Sequence, residues 1–292
     1  MKLTNKLNLP QPFVKAVERE YSYTDKRYSV TQIIKGAKEA ILTRRHDAEI
    51  TQDVSDMIWL IFGTAIHKVL EDAEEGTDEL KETKIYIDMP NGYTLSGIQD
   101  LYSESLKRVT DYKSGTVWKV IYGDWEDYRM QLLIYAYMLC KIGFPVDNAE
   151  NVMLLKDWSA TKAKTEQNYP PHPVHVQHYD FSEDDFKFVE KYLEVKFNEI
   201  ERMEKLPDDD IPECTPEERW ATPTKYAVMK KGRKTAIKLH DNIADANKMV
   251  EDLGHDQHYV EIRKGSDKKC CEYCNCCEFC NYWKEHYGKE TV

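Results

Sequence analysis

The sequence predicts an α/β domain, a mixed sheet flanked by helices, followed by a small α+β appendage rich in cysteine. Three observations carry this expectation. The apolar period switches from helical to alternating near residue 84. The predicted order of helix, three strands, helix and strand gives a mixed sheet with helices packed on it. Six of the eight cysteines fall between Cys270 and Cys280, which sets the last part of the chain apart. The boundary is expected near the acidic, proline-bearing stretch Asp208 to Pro216, giving a core over 1–206 and an appendage over 207–292.

Each element has its own signal. Pro10 and Pro12 suit a helix start before Phe13, Val14 and Val17, and Thr31 precedes Ile33, Ile34, Ala37 and Ile41 at helical spacing. Trp59, Phe62, Ile66, Val69 and Leu70 mark a longer helix from about Asp53 to Ala73. Lys84 to Met89 alternates in the strand manner, Asn91-Gly92 is a tight-turn signal, and Tyr93 to Tyr102 and Lys107 to Lys113 read as two further strands. A helix from Glu126 to Ile142, with Cys140 in its core, and a short strand Val152 to Leu155 follow. Ser182 with Asp185 resembles a capping box opening a helix to about Lys205. Beyond it, Lys225 to Met229 and Lys234 to His240 form a basic hairpin, Asp241 or Asn242 caps a helix ending at Gly254, and Tyr259 to Arg263 is a last strand.

With 41% hydrophobic and 11% aromatic residues the chain can fill a core, which excludes global disorder. No apolar run reaches membrane-helix length and Met1 to Pro10 is too polar for a secretory signal, so a cytoplasmic protein without membrane contact is expected. A net charge of -11 argues against a nucleic-acid binder unless cations are segregated. They are. Residues 1–46 carry ten Lys/Arg against four Asp/Glu, and residues 222–240 carry six Lys/Arg and no acid. The acidic excess lies in the runs Glu71 to Glu82 and Asp208 to Glu218, and either basic stretch taken alone is equally well read as solvated surface.

The chemistry is concentrated in Gly97-Ile98-Gln99-Asp100 and Thr110-Asp111-Tyr112-Lys113. On adjacent antiparallel strands Asp100 and Asp111 can meet, and alternation puts Asp111 and Lys113 on one face with Tyr112 on the other. Two carboxylates and an ammonium suit phosphodiester hydrolysis: oxygen ligands hold Mg²⁺ or Mn²⁺, and the lysine orients or helps deprotonate water. His67 lies on the preceding helix, one turn from Glu71, and Gln131 and Tyr135 are one turn apart on the following one. By themselves these three are more often packing or surface residues than functional ones.

Taken in order, Gly-x-x-x-His, Gly-x-x-Asp, Asp-x-Lys and Gln-x-x-x-Tyr resemble the RecB-type branch of the PD-(D/E)XK nucleases over about Ser29 to Leu155, with Ser29 to Ile34 similar to the family's opening helix. The resemblance implies a restriction-endonuclease-like sheet. It makes His67, Asp100 and Asp111 metal ligands, Tyr112 a ligand through its carbonyl, Asp100, Asp111 and Lys113 the catalytic set, and Gln131 and Tyr135 substrate-positioning residues that contact DNA. The implied activity is a Mg²⁺- or Mn²⁺-dependent deoxyribonuclease, an exonuclease in DNA recombination or end processing. The alternatives are a structure-specific endonuclease and a non-catalytic nucleic-acid-binding protein with a cysteine-bound metal. Its partners would be DNA, single-stranded or with ends, and a recombination or single-strand-annealing protein.

The dense cysteines, including the adjacent pairs Cys270/Cys271 and Cys276/Cys277, read as a metal site and not a disulfide framework. Cys271-x2-Cys274-x5-Cys280 is similar to the clustered ligands of the iron-sulfur nucleases of this group, AddB-like and CRISPR-adaptation nucleases, which implies a [4Fe-4S] cluster. Four thiolates are needed. The relatives' remaining ligand precedes the core, where this chain has Gly36 or Ala37, so Cys214 is the candidate replacement. Zn²⁺ is the rival metal. Either would staple the hairpin residues Lys230, Lys231, Arg233 and Lys234 into place as a DNA-binding patch.

Overall fold

A mixed sheet of six strands flanked by helices forms the centre of the computed structural model, which describes residues 1–18, 23–73, 76 and 78–288. The chain divides into two units, Met1–Pro207 and Asp208–Val292. Among the described residues no helix is long and apolar enough to cross a membrane.

The first unit opens with β1 (Lys2–Thr4), α1 (Gln11–Val17), β2 (Arg27–Ser29), α2 (Val30–Lys35), α3 (Ala37–Arg45) and β3 (Thr51–Asp53). The single helix expected around Thr31 to Ile41 is two. Ser29 caps the first of them in a capping box with Gln32, and Gly36, at φ +112°, ends it in a conformation that side chains disfavour. The longer helix expected from Asp53 starts later. Asp53 accepts from Thr4 Oγ1 (2.7 Å), Lys6 N (2.9 Å) and Ser55 N (3.1 Å), which ties β3 to β1. A 3-10 turn (Val54–Met57) then leads to α4 (Ile58–Glu71).

Next come β4 (Glu79–Asp88), β5 (Thr94–Ser103), β6 (Arg108–Gly115), α5 (Val117–Tyr122), α6 (Glu126–Lys141), β7 (Asn148–Leu155), α7 (Ala160–Thr165), β8 (Val174–Asp180) and α8 (Glu183–Met203). β4 begins five residues before the alternation at Lys84 becomes visible, so it takes in part of the acidic run. β8 is absent from the expectation: prolines crowd its start, and as the last strand in the sheet order it keeps Val174 and Val176 exposed.

The sheet order is β2-β5-β6-β7-β8, with β4 pairing β5 on its other edge. β5 thus shares one edge between two partners. β2 runs parallel to it over Thr94–Ser96 and β6 antiparallel over Leu101–Ser103, leaving Gly97 to Asp100 between them. α6 is buried from Leu132 through Leu139, the pattern of a helix covered on several sides. Cys140, at its end, is exposed and not part of the core, because the helix runs out of the packed layer there. α8 buries Val189, Leu193, Phe197, Ile200 and Met203, spaced three and four apart, and its start carries the Ser182/Asp185 capping box. Burial of each such side chain contributes about 1.5–3 kcal/mol.

The second unit has a 3-10 turn (Asp208–Asp210), β9 (Lys225–Lys230), β10 (Lys238–His240), α9 (Ile243–Leu253), β11 (His258–Arg263), α10 (Lys268–Glu272) and α11 (Asn281–His286), with a short 3-10 turn at Cys277–Phe279. Its antiparallel sheet, ordered β10-β9-β11, packs Val228 against Ala246 and Val250 of α9. Asn242 caps α9 through Asp245 N.

Candidate active site

The site forms where the ladders around β5 stop. Extending the β5–β6 register by one pair beyond Leu101↔Thr110 would set Asp100 opposite Asp111, but the strands part there. The Asp100 carboxylate takes over the connection, accepting from Tyr112 N at 2.7 Å. On the other edge, β4–β5 pairing is interrupted between Lys81↔Leu101 and Thr83↔Gln99, and the residue facing Asp100 there is Glu82, at φ +43°. A left-handed backbone at a non-glycine residue turns the side chain out of the regular pleat.

These departures bring ligand atoms together. His67 on α4 places Nδ1 3.4 Å from Asp100 Oδ1 and 3.7 Å from Glu82 Oε1. Ligand atoms of His67, Glu82 and Asp100 all lie within 4.8 Å of one another. The hydrogen bond to Asp100 raises the His67 pKa against its burial, with Glu82 and Asp111 adding to the rise. Burial, then Asp100, pushes the Glu82 carboxyl up. A cluster whose acids repel and whose histidine is drawn toward protonation is one a divalent cation would relieve. Two hard carboxylates and an imidazole fit Mg²⁺ or Mn²⁺.

Asp111 stands beside this group in a different role. It is 3% exposed, accepts from Lys113 Nζ at 2.7 and 2.8 Å, and its Oδ2 also accepts from Asn151 Nδ2 at 2.8 Å. Asn151, fully buried on β7, accepts in turn from Tyr179 Oη on β8 at 3.0 Å. Burial pushes Asp111 up, and the Lys113 ammonium opposes the push. For Lys113, burial works against the charge and the Asp111 carboxylate outweighs it, raising the ammonium's pKa. Lys113 also donates to Gln131 Oε1 at 3.1 Å.

The strand alternation gives Lys113 and Tyr112 opposite surroundings. Lys113 meets α6 through Gln131, whereas Tyr112 lines an apolar groove with Phe62, Ile66 and Val69 of α4 and Val152 and Leu154 of β7. Tyr135, expected to contact DNA, is only 5% exposed. Its ring lies over Gly97, where an added Cβ would meet Cε1 at 2.6 Å, and its hydroxyl is 3.5 Å from Gln131 Nε2. The glycine of Gly-x-x-Asp thus makes room for the tyrosine of Gln-x-x-x-Tyr. Burial raises the Tyr135 pKa, so the hydroxyl stays protonated and Tyr135 positions Gln131.

Three members of this constellation, Glu82, Asn151 and Tyr179, are not in the sequence-based set. Glu82 sits in a charge run, and Asn151 and Tyr179 become visible only once β7 and β8 are aligned beside β6.

The second unit gathers the cysteines around Asp267. That carboxylate accepts from Tyr282 Oη (2.6 Å), Tyr287 Oη (2.9 Å) and Arg219 Nε (3.3 Å), and Arg219 also bonds the Cys214 carbonyl. Cys274 Sγ is 3.6 Å from Cys276 Sγ. Burial, then Cys274, Asp267 and Cys280, pushes the Cys270 thiol up to about 12, and burial and Cys274 push Cys277 to about 11. Of the expected ligands, Cys274 and Cys280 thus share a neighbourhood with Cys270, Cys271 is exposed, and Cys214 meets Arg219 through its backbone carbonyl and not its thiol. Lys230, Lys231, Arg233 and Lys234 are exposed around the β9 turn, where Gly232 has φ +80°.

Among solved structures that resemble this chain, the crystal structure of SSO0001 aligns at 14% identity and TM-score 0.44, over 61% of this chain and 78% of its own. A phage-related exonuclease from Haemophilus somnus 129PT aligns at 12% identity and TM-score 0.29, over 59% of this chain and 81% of its own. No protein-family model and no curated protein matches the chain.

Proposed function

We propose that this chain is a Mg²⁺- or Mn²⁺-dependent nuclease that hydrolyses phosphodiester bonds in DNA. The observation that carries the reading is the convergence of His67, Glu82 and Asp100 within 4.8 Å beside the buried Asp111–Lys113 pair. A cation held by His67, Glu82 and Asp100, with Asp111 within reach, would supply charge stabilisation at a phosphate oxygen and acidify a bound water.

The chain's own residues do the rest. Tyr112 N–H fixes Asp100, and Asp100 orients His67. Asn151, backed by Tyr179, holds Asp111, and Asp111 with Gln131 holds the Lys113 ammonium in place as a preorganised donor for the anionic phosphate. Held by Asp111 and Gln131, Lys113 is placed to orient and stabilise the phosphate.

The test is cleavage of 5′- and 3′-labelled single- and double-stranded DNA with Mg²⁺ or Mn²⁺. Glu82→Gln, Asp111→Asn and Lys113→Ala should each lower the rate by about 10²-fold or more. Equal cleavage by wild type and all three variants would refute the reading. The labels separate exonuclease action in recombination or end processing from endonuclease action.

The same reading has Cys214, Cys271, Cys274 and Cys280 hold a [4Fe-4S] cluster in the second unit. The grouping of Cys274 and Cys280 near Cys270 supports a metal in the tract, and four thiols suit either iron or Zn²⁺. Metal analysis of protein purified without oxygen distinguishes the two.

A further inference from the structure

α5 is a short helix with two unlike sides. Val117, fully buried, packs with Met153, Leu155 and Tyr169, and Val120 and Ile121 join this cluster with Trp125, Tyr128 and Trp158. Val117 N–H donates to Asp157 Oδ1 at 2.8 Å, which pins the start of the helix to the segment after β7. The opposite side carries Trp118 and Tyr122, one turn apart, 51% and 78% exposed. Their rings stack with centroids 5.9 Å apart and planes 20° from parallel.

The helix that carries this pair is tied to the candidate active site through Lys119. α5 starts two residues after β6, the strand of Asp111 and Lys113. Lys119, between the two aromatics in sequence, places Nζ 4.5 Å from the Tyr128 ring centroid, and Lys113 Nζ lies 5.4 Å from the same centroid. Lys119 also lies 5.6 Å from the Trp125 centroid. A pair of near-parallel exposed rings, on a helix whose Lys119 shares the Tyr128 ring with Lys113 of the candidate site, has the chemistry that receives unpaired bases. The rings take base faces and the lysine takes phosphate charge.

We infer that Trp118 and Tyr122 form a base-stacking shelf that holds an unpaired nucleic-acid strand beside Lys113. The inference rests on the nuclease reading for the identity of its ligand, and it makes the substrate a strand with unpaired bases at the scissile end. Paired bases hide their faces from such a shelf. A duplex without an unpaired end would bind through its phosphates alone.

Binding is measured in Ca²⁺, without cleavage, by anisotropy of a labelled oligothymidylate, a blunt duplex and an abasic strand of the same length. Wild type should bind the oligothymidylate at least tenfold more tightly than the abasic strand. Trp118→Ala/Tyr122→Ala should lose that preference, falling about tenfold per ring on the base-bearing strand, with the duplex unchanged. Trp118→Phe/Tyr122→Phe should retain most of it. If the Ala pair binds all three probes as wild type does, the shelf is refuted even where metal-dependent cleavage is sound. If the base preference depends on the rings but no variant or wild type cleaves, the nuclease reading falls and the shelf stands. A change in oligomeric state of the Ala pair with unchanged oligonucleotide affinity would mean that the rings serve a protein contact, and would also overturn the shelf.

Discussion

Glu82 occupies a backbone conformation that costs a non-glycine residue of order 1–3 kcal/mol, and it does so facing Asp100 and His67. Strain at a residue proposed to hold the metal is what a function-driven choice of residue looks like. Glu82→Gly should therefore leave stability unchanged or raise it by about 1 kcal/mol, while weakening Mn²⁺ binding measured by calorimetry by at least tenfold. A loss of stability with metal affinity intact would contradict that role. Asn151 is the complementary case, a buried residue whose amide reaches the Asp111 carboxylate. Asn151→Ala should slow cleavage by about 10–100-fold, as for other groups that hold a reacting residue in place, and cost about 1–3 kcal/mol from the acceptor it leaves unpaired. Chemical denaturation and single-turnover rates read the two effects separately. The sequence put forward His67, Asp100, Asp111 and Lys113 as candidates, because each falls in a short motif and the motifs follow one another in order. It hid Glu82 and Asn151, whose types are ordinary and whose partners are distant along the chain.

Among elements, β5 is the one on which the site turns, because its edge is shared by β2 and β6 with a gap between. Tyr135 from α6 fills the space over Gly97 in that gap. Gly97→Ala would put a methyl 2.6 Å from the tyrosine ring. It should destabilise the first unit by about 1–3 kcal/mol and displace Gln131 from Lys113, lowering the cleavage rate with little change in metal affinity. α8 offers a pH test at its capping box. Bonds from Ser182, and then Arg129, hold Asp185 down to about 2, below its ordinary 3.8. A depressed folded-state pKa contributes stability that is full above about pH 4 and is lost as pH falls toward 2. Asp185→Asn should therefore show less loss of denaturation midpoint between pH 5 and pH 3 than wild type. Equal losses would mean that another carboxylate governs acid sensitivity. The helix caps and periodic faces of α8 and α9 were legible in the sequence, since both are local properties. The break at Gly36 and the late start of α4 were not, because an unusual φ and the β1–β3 pairing decided them.

For the whole molecule, the chain divides at Pro207/Asp208 into two units, and the second gathers several donors on one buried carboxylate. Asp267 is 6% exposed and receives two tyrosines and an arginine. Asp267→Ala leaves those donors and the Arg219 charge without their partner, a loss of about 3–5 kcal/mol for a buried pair. Hydrogen exchange should then show residues 208–288 losing protection while the strands of the central sheet keep theirs; uniform loss would make the two units one cooperative body. By itself the sequence determined the α/β class, the order of the main elements and which residues stand as site candidates, because period, turn chemistry and charge type are written in neighbouring positions. Only the tertiary structure decided that Glu82 faces Asp100, that Asn151 reaches Asp111, and that Lys113 bonds both Asp111 and Gln131. Those facts depend on where ladders stop and on which groups are buried together, and both arise between segments far apart in the chain.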